Sequence, residues 1–175
     1  MSQAETVLRV AAKGDGVTAS GRHVPLAAPG DVVLPDGTLE FGPHHATPPC
    51  RHFPECGGCQ LQHLDEQALA EFVRDRVVNA AAGQGLAAEH VTAPHLSPPR
   101  TRRRATLHAA RSGARVLIGF REAGSHRIVD VRECHVLDSA LFAPLFGVAV
   151  TITGNALQVV RLEGMLIAMR SSSNA

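Results

Sequence analysis

Four cysteines carry the most distinctive chemistry in this 175-residue sequence. Cys50, Cys56 and Cys59 are spaced C-x5-C-x2-C, and Cys134 follows 75 residues later. Three thiolates in one tight loop with a distant fourth is the usual sequence layout of an iron–sulfur cluster. The Gly57-Gly58 pair inside CGGC fits that chemistry, because a loop without side chains folds tightly and can aim backbone N–H groups at sulfur. A structural zinc more often shows two short knuckles, and only one is present here, although four thiolates can hold zinc. Buried thiols with no shared ligand are the third reading. Disulfides are the weaker explanation in a reducing compartment. Of the ten histidines, His44 and His45 lie in a Pro/His-rich linker, and His52, His63 and His135 lie near the cysteines. None forms H-E-x-x-H or a comparable ligand spacing, so each reads as a surface or packing residue.

A second constellation is electrostatic. The formal net charge of +1 conceals an asymmetry. Residues 1–50 are net −2, 51–99 net −3 and 133–175 net −1, whereas 100–132 carry nine Arg against Glu122 and Asp130. Arg presents a planar fork that pairs bidentately with phosphate and stacks on bases, so an Arg-only block suits RNA. Arg100, Arg102, Arg103 and Arg104 form its densest part, with Arg121 and Arg127 further along. The alternative is a solvated strand face, and strand alternation would turn Arg103 away from Arg102 and Arg104. The six Phe, with no Trp and no Tyr, argue against a site built on stacked aromatics.

These groups need elements to position them. Residues 6–41 read as short strands with tight turns at Gly14-Asp15-Gly16, Gly21 and Pro35-Asp36-Gly37, which suggests a trimmed barrel of the OB type. HVPLAAPGDVVL (23–34) reads as one strand-forming stretch of that set. Gly14-Asp15-Gly16 and Gly83-Gln84-Gly85 lack the strand–turn–helix context of a dinucleotide fingerprint and read as turns. Residues 65–82 read as a helix, with Leu69, Phe72, Val73 and Val77 at helical spacing, Asp65 as its cap and Gly83 at its end. RRRATLHAAR, RVLIGFR and HRIVDVREC read as a three-stranded meander. A short helix is expected within 138–146, a hairpin within 151–169, and a frayed SSSNA tail. No apolar run approaches the roughly 18–20 residues of a bilayer span. MSQAETVLRV shows no secretory signal pattern, so a cytoplasmic protein with no membrane partner is expected.

PPCRHFPECGGCQLQHL (48–64), TRRRATL (101–107) and GFREAGSHRIVDVRECHVL (119–137) together resemble the S-adenosylmethionine-dependent RNA uracil-C5 methyltransferases. The branch acting on large-subunit ribosomal RNA carries a [4Fe–4S] cluster, and Cys50, Cys56, Cys59 and Cys134 fall on its four ligands. GDGVTASGRHVPLAAPGDVV resembles that family's TRAM domain, an OB-like RNA-binding barrel. The resemblance runs from about residue 6 to 146.

The departures also have consequences. Thr101 stands where the family usually has an aromatic, and the TRAM-like part is abbreviated. The family's Rossmann-like domain, with its catalytic Cys and Glu base, has no counterpart in these residues. Methylation at uracil C5 needs a thiolate to add at C6, and all four cysteines match the cluster ligands. The expected fold class is therefore β-rich α+β. It comprises an OB-like TRAM domain over 1–42, an iron–sulfur α+β domain over 43–146, and over 147–175 a remnant or the start of a linker to a missing S-adenosylmethionine domain. The expected function is the RNA-binding and [4Fe–4S] portion of a ribosomal RNA uracil-C5 methyltransferase. By itself the chain is expected neither to methylate nor to bind S-adenosylmethionine. The rivals are a stand-alone RNA-binding iron–sulfur protein, an electron-transfer module and a zinc-bound structural module.

Overall fold

Short runs of Val and Thr between Gly- and Pro-containing turns give strands too brief to form a core singly. In a computed structural model that describes residues 3–113, 115–142, 158–162 and 165–171, five of them pair into one curled antiparallel sheet. They are β1 (Glu5–Val10), β2 (Gly16–Thr18), β3 (His23–Val24), β4 (Val32–Val33) and β5 (Leu39–Glu40), in spatial order β3-β2-β1-β4-β5. Val7 faces Thr18, Glu5 faces Val33, and a bulge between Val7 and Arg9 bends β1 between its two neighbours. Val7, Val24, Ala27 and Val33 form the core of this sheet, with Leu39 packed against them. The single stretch expected over 23–34 is two strands instead. Pro25 and Pro29 lack ladder donors, Leu26 takes a left-handed φ of 58°, and the buried Ala27 and Ala28 fill the bend between them.

The helix α1 spans Glu66–Ala82, as its periodicity predicts. Asp65 caps it by accepting from the Ala68 backbone N–H at 2.7 Å. Ala68, with Leu69 beside it, packs against Ala28, Leu64, Val10 and Leu61. The rest of the apolar stripe is less covered than the pattern implies, since Val73 and Val77 are exposed.

Two compact units result, the first comprising residues 1–48 and 60–96, the second 49–59 and 97–175. Residues 43–146, expected as one domain, are shared between these two units. In the structure α1 sits with the β1–β5 sheet, because its buried side chains have their partners there.

In the second unit β6 (Thr106–Ser112) and β7 (Arg115–Gly119) form an antiparallel hairpin. The hairpin expected within 151–169 is β8 (Gln158–Leu162) and β9 (Met165–Ser171). Its strand β9 runs parallel to β6, giving the order β7-β6-β9-β8. The third meander strand is reduced to a bridge between Arg121 and Ile128. Backbone bonds from Val129 N–H to Phe120 O (2.9 Å) and Val131 N–H to Ile118 O (3.1 Å) continue the contact. A four-residue α2 (Ser139–Phe142) occupies the start of the segment expected to be helical. The rest of that segment, the stretch 147–157 and the expected frayed end at 172–175 lie outside the described residues.

Candidate iron–sulfur and RNA site

All four cysteines belong to the second unit. Cys50 and Cys56 are buried, Cys59 and Cys134 half-buried, and none is in a disulfide. The loop that carries the first three is wound by its own backbone, with Phe53 N–H bonding Cys50 O (3.1 Å) and Cys56 N–H bonding His52 O (2.7 Å). It then pairs with the turn after β7. Cys56 bridges Glu122, Gly57 N–H donates to Arg121 O at 2.9 Å, and Ala123 N–H donates to Glu55 O at 3.1 Å.

The two loop glycines are explained by this approach. A Cβ on Gly57 would stand 2.6 Å from Arg121 O, and one on Gly58 would stand 2.8 Å from the Phe120 ring. Cys56 packs with Val129 and Val131, against which Phe120 and Cys134 also lie.

The electrostatics of the thiols connect all four. Burial pushes the Cys56 thiol up, and Cys59, Cys50 and Cys134 push it in the same direction, against a lowering bond from the Gly58 backbone. Thiolates so placed raise one another's cost of ionisation, and a bound cationic iron core removes that cost. Cys134 Sγ accepts from Leu137 N–H at 3.4 Å, so backbone donors reach two of the sulfurs, as they do around cluster ligands. Among the described residues, no group of three or more Cys, His, Asp or Glu side chains is drawn together tightly enough to hold a single metal ion. The donor set and its backbone bonds fit a cluster, which is broader than one ion.

Ion pairs and hydrogen bonds strap the cysteine segments together. Arg51, following Cys50, pairs with Glu133, preceding Cys134, at 3.2 Å. His52 Nε2 accepts from Arg132 N–H at 3.3 Å. Arg127 pairs with both Glu55 and Glu122. Sequence reasoning missed these acidic partners. Their signal was the Glu-Cys dipeptide at 55–56 and again at 133–134.

The Arg block splits by surroundings. Arg100 N–H bonds His135 O (2.9 Å), Arg102 N–H bonds Val136 O (3.0 Å), and Asp138 N–H bonds Arg102 O (3.0 Å). Three backbone bonds thus hold the Arg segment beside the residues that follow Cys134. Arg100, Arg102, Arg103 and Arg104 are all exposed, and none has an ion-pair partner among the described residues. Arg102 Nε donates to Arg104 O at 3.0 Å, which lays the side chain along its own segment. Arg121 is half-buried and lies 3.1 Å from His126 Nδ1, while Arg127 is taken up by carboxylates.

The charges segregate with the units. The first unit has five basic and ten acidic residues, net −5, and the second twelve and six, net +6.

The first unit contains a buried constellation that the histidine reading did not foresee. Asp31 is fully buried and accepts from Ala28 N–H (2.8 Å), Gly42 N–H (2.7 Å) and His45 Nδ1 (2.7 Å). His45 stacks on Phe41 and lies near the buried His63. These contacts link strands and linker within a single unit and mark a structural site.

The first unit thus carries the OB-like sheet, and the second carries the four thiols and the exposed Arg segment. No family model matches the chain. Over 136 residues, 78% of its length, it is 46% identical to an uncharacterized RNA methyltransferase of Zymomonas mobilis, of which it covers 34%. It is 34% identical over 191 residues to one of Mesorhizobium japonicum, covering 93% of this chain and 46% of that protein. A Brucella suis relative of the same description is 37% identical over 153 residues. The chain is thus homologous to part of an RNA methyltransferase family, and it spans between a third and a half of the length of these curated relatives. Among the described residues no helix is long and apolar enough to cross a membrane.

Proposed function

We propose that these residues are the RNA-recognition and cluster-holding portion of a ribosomal RNA uracil-C5 methyltransferase. Cys50, Cys56, Cys59 and Cys134 hold [4Fe–4S], and Arg100, Arg102, Arg103 and Arg104 meet the RNA backbone. One observation carries the reading: the four thiols gather in one unit whose exposed Arg segment is backbone-bonded to the residues following Cys134. The relatives, named as RNA methyltransferases, support the RNA assignment.

When bound, the cluster supplies a covalent tie between loop 50–59 and Cys134. The chain's own residues do the rest. The backbone bonds of Arg100 and Arg102 fix the spacing of the cationic groups, and the guanidinium forks pair with phosphate. Four cysteines committed as ligands leave no thiol for addition to uracil C6. That addition and the methyl-donor site are assigned to parts of the enzyme outside these 175 residues.

The test uses an enzyme containing this segment, S-adenosylmethionine and RNA tritiated at uracil C5. Methylation at C5 replaces that hydrogen, so tritium passes to water in step with methyl transfer. Methyl transfer with the tritium retained would refute the C5 assignment.

A further inference from the structure

Arg127 lies in the Arg-rich block, and although its side chain is about half exposed (55%), its guanidinium is engaged by carboxylates of this chain. It bonds Glu122 through two nitrogens, Nη2 to Oε1 at 2.6 Å and Nε to Oε2 at 3.1 Å, and also bonds Glu55. Ser125 Oγ donates to the same Glu122 carboxylate at 2.6 Å. Glu122 N–H donates to Arg127 O at 2.7 Å, which closes the 122–127 turn on itself. Glu55 immediately precedes Cys56, and the same turn pairs with the cysteine loop through Cys56 and Glu122 and through the Gly57 and Ala123 backbone bonds. Bonds from Arg127 and Ser125 hold the Glu122 carboxyl down at about 2, so the pair stays ionised across the working pH range.

We infer that Arg127, Glu122 and Glu55 form a clasp that positions the Cys50–Cys59 loop for the cluster, and that Arg127 is a positioning residue and not an RNA contact. Isolated surface pairs contribute little, but a bidentate Arg shared between two carboxylates in a network is the geometry that holds. The clasp joins the loop to the 122–127 turn without using the cysteines, so it orders the loop before any cluster arrives. This inference rests on the cluster reading for its meaning, and one of its measurements does not require a cluster.

The test compares wild type with Arg127→Met, Glu55→Gln and Arg102→Ala, each in the whole chain. In the cluster-free, reduced protein, alkylation of Cys56 by iodoacetamide is followed by mass spectrometry. In the anaerobically loaded protein, decay of the visible band under an iron chelator is followed alongside RNA affinity. Arg127→Met and Glu55→Gln are expected to speed both alkylation and band decay by about threefold to fivefold. RNA affinity should stay within about twofold of wild type for Arg127→Met and fall for Arg102→Ala. Equal alkylation rates in wild type and Arg127→Met would overturn the clasp. So would a loss of RNA affinity in Arg127→Met matching that of Arg102→Ala. Failure of wild type to take up iron would instead refute the cluster reading, and the alkylation comparison would still decide on the clasp.

Discussion

Replacing Gly57 by Ala tests whether the cysteine loop is held as tightly as its backbone implies. The added Cβ would stand 2.6 Å from the Arg121 carbonyl oxygen, closer than Cβ atoms come to such neighbours. That oxygen already accepts the Gly57 N–H at 2.9 Å, so it cannot retreat without stretching the bond. The next pairing, Ala123 N–H to Glu55 O at 3.1 Å, would be strained with it. Overpacking costs about 1–3 kcal/mol, and a lost backbone bond adds about 1 kcal/mol. The sum is roughly 2–4 kcal/mol against a domain stability of about 5–15 kcal/mol. Gly124→Ala is the internal control. Its φ is 76° and an added Cβ meets nothing within 4 Å, so only left-handed strain of about 1–2 kcal/mol applies. Urea unfolding under anaerobic, reducing conditions should lower the midpoint by about 1–2 M for Gly57→Ala. The loss for Gly124→Ala should be clearly smaller, and iron retention should follow the same order. A Gly57→Ala midpoint within error of wild type would refute the close approach of Arg121 to the loop.

Three further outcomes are expected. Asp31→Ala removes a buried carboxylate that accepts from two backbone N–H groups and from His45, and should cost about 3 kcal/mol or more in thermal or urea unfolding. Burial, with the charge of His45, pushes the His63 pKa below its ordinary value of 6.5. The unfolded chain therefore takes up this proton first as pH falls. The stability that neutral His63 provides is complete above about pH 6.5 and is lost progressively below it, down to the folded-state pKa. Urea midpoints from pH 7.5 to 5.5 should show this decline, and a His63→Gln variant should show less of it. In RNA binding, Arg102→Ala with Arg104→Ala should reduce the slope of log affinity against log salt by about 1.5–2, and an unchanged slope would remove these residues from the RNA contact.

The parts of the fold legible in sequence were those written in local pattern. The Asp65 cap and the Leu69, Phe72, Val73 and Val77 spacing marked α1 to within a residue, and Gly-containing turns marked the β1–β5 hairpins. Less was legible where partners are distant in sequence. The parallel register of Thr106 with Ala168 joins segments some sixty residues apart, and no local pattern encodes it. The exposure of Val73 and Val77 could not be read either, since helical spacing specifies a face but not what covers it. At the site, the cysteine spacing singled out four thiols that the fold places in one unit. Charge counting alone could not divide the arginines, because the Glu122 and Glu55 carboxylates that bind Arg127 meet it only in the folded chain. The association of Asp31, His45 and His63 was hidden for the same reason: each is an ordinary residue until the fold buries Asp31 and His63 and brings the half-buried His45 against them.

The cluster itself is the central claim, and iron and sulfide content per chain after anaerobic purification measures it most directly. With no Trp or Tyr in the sequence, protein absorbance near 280 nm is low and a brown visible band would stand out. The account predicts about four iron and four sulfide per chain, with both the metal and the band lost in Cys56→Ser and Cys134→Ser. A colourless protein free of iron, or one carrying a single zinc held by the same cysteines, would contradict it.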